Sequence, residues 1–248
     1  VRVEFEGCPL CKGQGKLLGE SKIKPRAGLP NTLTWLQCES CQHVYTKHYW
    51  TEDGLKLLLS NVDPTQVFGG DLETQRAVWS LVIERCPVKS GRWVDIGCGN
   101  GSLVTTAAEY GFDAIGIDIR PEPVAALVEH GYKALQGDAY GVQLQGADVV
   151  SLADVLEHVP DPRALLWHIR KQVADGAVLF VSCPNMDTAV WVKMQKEAGN
   201  PYWVEPEHYH NFTRFRLQRL LRECGWEPFD YSISRRYSSC MEIFARAF

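Results

Sequence analysis

No apolar run in these 248 residues approaches the roughly 18 that a membrane-spanning helix needs. The chain starts Val-Arg-Val-Glu-Phe-Glu, without the basic-then-apolar order of a secretion signal. A strong charge of either sign is also missing: the net charge of −4 gives no overall attraction to nucleic acid. The distribution is uneven, however. Residues 1–50 hold seven basic and four acidic side chains, leaving nineteen and twenty-six for the rest, so a +3 segment precedes a −7 one. The nine cysteines are an odd number, and four of them fall in two Cys-x-x-Cys pairs. Cys86, Cys98, Cys183 and Cys224 lie in or beside expected core elements, where a thiol acts as a small hydrophobe. The expectation is a cytoplasmic, reducing compartment with no membrane attachment.

With 45% hydrophobic and 23% charged residues the composition is that of an ordinary globular protein, long enough for one large domain and a small appendage. The organising stretch is Val94-Asp-Ile-Gly-Cys-Gly-Asn-Gly-Ser102, an apolar strand running into Gly97, Gly99 and Gly101. Glycine at alternate positions permits a sharp turn that a ligand can approach closely. The nearest dinucleotide pattern, G-x-G-x-x-G/A, fails at Ser102. Asp95 also disfavours a pyrophosphate, which wants backbone N–H groups rather than a carboxylate. The same carboxylate suits an ammonium group, so the stretch favours the amino-acid end of S-adenosylmethionine over NAD.

Cys8-Pro-Leu-Cys11 and Cys38-Glu-Ser-Cys41 stand 26 residues apart. Each pair presents two thiolates from a tight turn, and two such turns complete a tetrahedral shell for zinc. Redox-active pairs are the competing reading, but no thioredoxin-like βαβ pattern surrounds them. A segment of this length has too little core to fold without a staple, and four thiolates leave no open position for water, so the metal is expected to be structural. His43 and His48 are additional donors that a complete four-cysteine set does not need.

Residues 51–90 read as a helical connector or lid. Thr51 is placed to cap Glu52–Ser60, Asn61–Pro64 to break the chain, and Asp71 to cap a longer helix with Leu72, Val78, Leu81 and Val82 on one side. Gly69-Gly70 reads as a loop. From Arg92 strands and helices alternate, the signature of a parallel α/β sheet. Asp118 ends the second strand 17 residues past Gly101, near the spacing of an acidic group that grips ribose hydroxyls. Asp161-Pro162 and Thr213 are helix starts. Residues 186–212 form a long aromatic and polar excursion, and the chain closes in an antiparallel hairpin around Tyr237-Ser-Ser239 at a sheet edge.

The glycine stretch resembles motif I of the class I S-adenosylmethionine-dependent methyltransferases. Asp118, Asp138, Asp154-Val-Leu-Glu-His158 and the terminal hairpin extend the likeness over residues 92–248. Asp-Val-Leu-Glu-His-Val followed by Asp-Pro is similar to the branch holding ubiquinone-pathway O-methyltransferases and many natural-product and sugar methyltransferases. The resemblance implies a Rossmann-like, doubly wound α/β fold with a seven-stranded sheet and its last strand antiparallel. A four-cysteine zinc ribbon (1–50) and the connector (51–90) would precede the methyltransferase domain (91–248), with 186–212 a substrate-side insertion.

It also implies a cofactor site of Asp95, Gly97, Cys98, Gly99, Gly101, Asp118, Ile119, Asp138, Ala139, Ala153 and Asp154, with Asp138 accepting from the adenine amine. Ligands in such sheets sit beyond the carboxyl ends of the strands. His158 follows the fourth strand and His208 the fifth, so both are candidate bases for deprotonating an acceptor, His158 first and His210 third; Glu157 is expected to face solvent. The expected activity is methyl transfer to a small-molecule hydroxyl. An RNA methyltransferase gripping its substrate with the +3 ribbon is the alternative, opposed by the acidic catalytic half. Methylation at nitrogen or carbon, and a cofactor-binding scaffold without turnover, are further alternatives. Covering the acceptor site, forming a homodimer and holding a partner are the tasks left open for the ribbon.

Overall fold

The computed structural model describes residues 1–59, 68–197 and 199–248. Seven strands form the main sheet: β6 (Arg92–Ile96), β7 (Asp113–Asp118), β8 (Lys133–Gln136), β9 (Val149–Ala153), β10 (Val178–Pro184), β12 (Trp226–Ile233) and β13 (Cys240–Ala247). Their spatial order is β12-β13-β10-β9-β6-β7-β8. All neighbouring pairs from β8 to β10 are parallel, whereas β13 runs antiparallel to both β10 and β12. The last strand is therefore the one reversed, as expected.

These strands are covered on both faces, which is why β9 and β10 read as near-continuous apolar runs rather than alternating ones. Alternation still decides which face each side chain serves. Val94, Val150, Leu179 and Val181 pack with α5 (Pro162–Gln172) and α7 (Arg214–Glu223) through Leu165, Leu166, Leu217 and Leu221. Trp93, Val149, Val178 and Phe180 pack with α2 (Leu72–Arg85) and α3 (Ser102–Glu109) through Trp79, Ile83, Leu103 and Val104. A fifth sheet helix, α4 (Pro121–Glu129), has its proline in the first turn. Asp161 and Thr213 cap α5 and α7 by accepting from Ala164 N and Arg216 N.

Two helix-face expectations are corrected. The Asp71 side chain does not cap α2: the residue sits in the left-handed region at φ 51°, and only its backbone carbonyl accepts from the first turn, from Gln75 N at 3.0 Å. Leu81 is exposed, and the buried stripe is Trp79, Val82, Ile83 and Cys86, a clean three-four spacing that Leu81 falls outside. Thr51 does cap the first turn of α1 (Glu52–Leu59), its hydroxyl accepting from Gly54 N at 3.2 Å. Ser60 and the expected break at Asn61–Pro64 lie outside the described residues.

The N-terminal fifty residues form β1 (Arg2–Glu4), β2 (Gly15–Lys22), β3 (Thr32–Cys38), β4 (Val44–Thr46) and β5 (His48–Trp50). β1 pairs with β5, and β2, β3 and β4 make an antiparallel meander. A fourth strand joins that meander from far along the chain: β11 (His210–Asn211), within the 186–212 excursion, pairs with β4. The excursion also holds α6 (Ala189–Lys196), a helix the sequence did not announce. Trp35 Nε1 donates to Trp203 O at 3.1 Å and Trp50 Nε1 to Pro206 O at 2.7 Å, so two buried indoles fasten the small sheet to this segment. No helix among the described residues is long and apolar enough to cross a membrane.

Candidate functional site

β6 and β9 lie side by side but lead to helices on opposite flanks, which opens a crevice at their carboxyl ends. The glycine bend fills one side of it. Gly97, Gly99 and Gly101 adopt φ of 72°, 52° and 77°, a region that side-chain-bearing residues resist. Gly97 and Cys98 both donate their N–H to Ile117 O, at 2.7 and 2.9 Å, tying the bend to β7. A Cβ on Gly97 would come within 2.5 Å of Val155 Cγ2, and one on Gly101 within 2.6 Å of Leu127 Cδ2. The Cys98 side chain is buried against Gly116, leaving its backbone to face the crevice. Ser102, the residue that breaks the dinucleotide pattern, is buried and accepts from Trp79 Nε1 at 2.9 Å.

Asp95 lies beneath the bend, 2% exposed, accepting from Ser151 Oγ at 2.5 Å. Burial pushes its carboxyl up to about 7; the Ser151 bond and the Arg236 charge oppose that rise, and Asp118 adds to it. Asp118, at the end of β7, accepts from Gly99 N at 3.0 Å and Arg120 N at 2.9 Å. The Arg120 guanidinium closes over the same carboxylate at 3.0 and 3.1 Å, so a diol reaching Asp118 must displace it. Ile119 is exposed beside it. Gly137 N donates to Asp118 O at 3.0 Å, bringing the Asp138–Ala139 loop alongside. Asp138 is exposed, with one oxygen accepting from Tyr140 N and Gly141 N of its own turn.

Past β9 the chain passes from Ala153 to Asp154, which is held at φ 57°. Its carboxylate accepts from Ser182 Oγ at 2.8 Å and from Arg236 Nη1 at 2.7 Å. Arg236 is a site residue the sequence reading missed. It lies against Trp79 and Tyr237 at 4.4 and 4.9 Å and is steadied by Gln75. The signal was topological: β12 runs parallel to β10, so the tip of the closing hairpin returns to the same sheet edge as the glycine bend.

A short 3₁₀ turn, Leu156–His158, carries the remaining groups. His158 Nδ1 lies 3.0 Å from Glu207 O. A carbonyl only accepts, so Nδ1 bears the hydrogen and Nε2 the lone pair. His208 meets His158 edge to face with centroids 4.6 Å apart. Burial lowers the pKa of both, for His158 against the pull of Glu207 and for His208 with further lowering by His158. Glu157 corrects an expectation: it is 1% exposed rather than solvent-facing, and burial with Asp154 nearby holds its carboxyl well above the usual range. The three-residue turn directs it inward, where Tyr209 N bonds its backbone carbonyl at 2.8 Å. His210 is buried with both nitrogens engaged, by Val159 O at 2.9 Å and His43 Nε2 at 3.1 Å. His130 and His168 bond within their own helices and stay outside the cluster.

Among the described residues, two groups of side chains have the composition of metal sites. Donor atoms of Glu157, His158 and His208 lie within 4.8 Å of one another, and Glu157 Oε2 and His208 Nδ1 are buried with no hydrogen-bond partner among the described residues. The thiols of Cys8, Cys11, Cys38 and Cys41 also converge, with Cys8–Cys41 at 3.6 Å and Cys11–Cys38 at 3.4 Å. A tetrahedron with metal–sulfur bonds of about 2.3 Å has edges of about 3.8 Å, so the donor set fits zinc. For Cys38, burial raises the pKa, but hydrogen bonds from the backbone of Cys41 and Ser40 and from neighbouring thiols outweigh it and bring it to about 7.

A family model described as a methyltransferase domain matches residues 72–230. A ubiquinone biosynthesis O-methyltransferase of Pseudomonas aeruginosa (strain UCBPP-PA14) is 28% identical over 173 residues, covering 64% of this chain and 74% of that protein. The enzyme of the same description from Cronobacter sakazakii is 32% identical over 143 residues, 54% of this chain and 58% of that one. Among solved structures, magnesium protoporphyrin IX methyltransferase from Synechocystis PCC 6803, with bound S-adenosylhomocysteine, superposes with TM-score 0.56 at 19% identity over 76% of this chain and 89% of that one. Burkholderia thailandensis 1,6-didemethyltoxoflavin-N1-methyltransferase gives 0.53 at 18% identity over 71% and 77%. These structural likenesses show the fold.

The glycine bend yields a direct comparison. Gly131 has φ 84° with open space around its Cβ position, whereas Gly97 has both positive φ and the Val155 clash. Gly131→Ala should cost about 1–2 kcal/mol in urea unfolding, the strain alone. Gly97→Ala should cost at least about 1 kcal/mol more, from overpacking. Equal costs would mean that Val155 does not close on the bend.

Proposed function

The chain belongs to the methyltransferase domain family as an S-adenosylmethionine-dependent enzyme, and from that premise we propose that it methylates a small molecule at a hydroxyl oxygen with His158 as the base. In this reading Asp95 and Asp154 attract the ammonium of the cofactor, and the backbone of Gly97, Cys98, Gly99 and Gly101 lies along its methionine end. Asp118, freed from Arg120, takes the ribose hydroxyls. Ile119, Asp138 and Ala139 border the adenine, and Ala153 lines the floor beneath the sulfonium.

The observation that carries the base assignment is the His158–Glu207 bond, which leaves Nε2 unprotonated on the turn that follows the carboxyl end of β9. The sulfonium activates its own methyl group, so the protein's task is alignment of acceptor and S–CH3 bond, an effect capable of about 7–11 kcal/mol. A hydroxyl must also lose its proton during transfer, and Nε2 of His158 receives it, with His208 orienting the acceptor. Support for a small acceptor comes from the relatives, described as ubiquinone biosynthesis O-methyltransferases, and from the −7 charge of residues 51–248, which opposes RNA.

A second reading rests on the unpaired Glu157 Oε2 and His208 Nδ1. With His158 these donors suit a divalent cation, which would supply Lewis acidity toward the acceptor oxygen. In the four-cysteine cluster we infer a structural zinc that holds β2–β4 together, since four thiolates leave no open position.

Turnover with tritiated S-adenosylmethionine against a panel of phenols tests the base. His158→Ala should lower kcat about 10²–10⁴-fold while S-adenosylhomocysteine affinity stays within about twofold; unchanged turnover removes His158 from the mechanism. Because burial lowers the His158 pKa, its base form persists as pH falls to the ordinary histidine value of about 6.5. At saturating cofactor kcat should therefore be flat from pH 8 to that point and decline only below it. Loss of activity on dialysis against EDTA, restored by Mg²⁺ or Mn²⁺, would favour the cation reading instead.

Elemental analysis tests the ribbon. One zinc per chain is expected, and Cys11→Ser should lose it together with the protection of β2–β4 in hydrogen exchange. Protection that survives full zinc removal would refute a structural role.

A further inference from the structure

Arg236 stands at the tip of the hairpin between β12 and β13, and three separate elements hold its side chain in place. From α2, Gln75 Oε1 accepts from Nε at 3.1 Å, and the Trp79 ring lies 4.4 Å from the guanidinium carbon. Its own hairpin contributes the Tyr237 ring, at 4.9 Å. Beyond the end of β9, Asp154 Oδ2 accepts from Nη1 at 2.7 Å. Trp79 in turn donates to Ser102, the first residue of α3, so a single indole bridges Arg236 to the helix that follows the glycine bend. An arginine fixed between two rings and two acceptors has given up its rotamer freedom before any ligand arrives, which preorganises it for an anion.

Its donors are not used up by these partners. A guanidinium carries five N–H groups. Gln75 and Asp154 take one each, and on the Nη2 side the exposed Tyr237 hydroxyl is a long 3.5 Å away. The side chain keeps 15% of its surface open, so the guanidinium is not sealed in. Asp154 has capacity to spare as well. A carboxylate offers about four lone-pair positions, and here Oδ1 accepts from Ser182 Oγ at 2.8 Å and Oδ2 from Arg236. An acid and a base held side by side, each with hydrogen-bonding positions left over, are the complement of a zwitterion: an ammonium meets the one and a carboxylate the other.

We propose that Arg236 is a specificity-determining residue of the cofactor site, binding the α-carboxylate of the methionine end while Asp154 takes the α-ammonium. The closing hairpin then reads the part of the cofactor that the glycine bend does not, and the pair selects an intact amino acid over a plain amine. The proposal rests on the methyl-transfer reading for the identity of this zwitterion.

Equilibrium dialysis at pH 8 with S-adenosylhomocysteine and its decarboxylated analogue, which keeps the ammonium, tests it. The unmodified chain should bind the analogue about 10- to 100-fold more weakly, the loss expected for hydrogen bonds to a charged group. In Arg236→Gln the two affinities should come within about twofold of each other, the limit set by additivity when no coupling remains. Arg236→Lys should recover part of the difference, and Arg235→Gln, one residue away and exposed, should preserve all of it. Equal affinities in the unmodified chain overturn the proposal without any substitution. A ratio that survives Arg236→Gln overturns it too, whether the guanidinium serves only to orient Asp154 or awaits a carboxylate on the acceptor. Binding of neither ligand by the unmodified chain would defeat the methyl-transfer reading itself, and the proposal with it.

Discussion

A carboxylate kept out of water beneath a glycine bend sets the terms for the crevice. Trp93 Nε1 donates to Ser151 Oγ at 2.9 Å, and Ser151 Oγ donates to Asp95, so a chain of buried bonds presents Asp95 from two adjacent strands. Raising its pKa from 3.8 to about 7 means that the folded chain binds this proton more tightly than the unfolded one. The ionised form therefore costs the fold increasingly as pH climbs from about 4 to 7, reaching roughly 4 kcal/mol. Nearby, Asp118 pairs with Arg120 and Asp154 with Arg236, so an ionised Asp95 is the carboxylate left without a guanidinium of its own. Such a floor is short of positive charge. In the proposed reading a ligand carrying both an ammonium and a sulfonium supplies it, and in doing so recovers part of what the buried Asp95 costs.

The small sheet and the crevice are one mechanical unit. β11 joins the meander two residues after His208, and Thr46 N and Glu157 O both bond Tyr209, from the ribbon side and the crevice side. His210 links Val159, next to His158, to His43, two residues after Cys41. Because Val159 O accepts from His210 Nε2, His210 Nδ1 accepts from His43, and both rings are neutral as burial dictates. The cysteine cluster therefore fixes the segment that orients His208 as well as its own loops. This accounts for packing a four-cysteine module against an enzyme domain that has a complete sheet of its own.

Much of this was legible in the sequence because it depends on local chemistry. Glycines at alternate positions need positive φ, paired cysteines need a shared shell, and Asp161, Pro162 and Thr213 start helices wherever they stand. What escaped depends on distant packing. Leu81 reads inward because an apolar side chain on a helix usually is, yet the spacing of Trp79, Val82, Ile83 and Cys86 leaves it outside. Glu157 reads as solvent-facing because carboxylates usually are, and the three-residue turn carries it inward instead. Asp118 has the right spacing for a ribose, but nothing local foretold that Arg120 would close over it. Arg236 and the β4–β11 pairing join residues far apart in the chain, and no periodicity records them.

Calorimetric titration with S-adenosylhomocysteine, run at pH 8 and pH 6 beside a parallel titration with NAD, tests the central claim most directly. Asp95 is ionised at pH 8 and largely protonated at pH 6, so one equivalent should bind at pH 8, more weakly at pH 6, and NAD should give no heat. Silence with S-adenosylhomocysteine together with clear uptake of NAD would contradict the account.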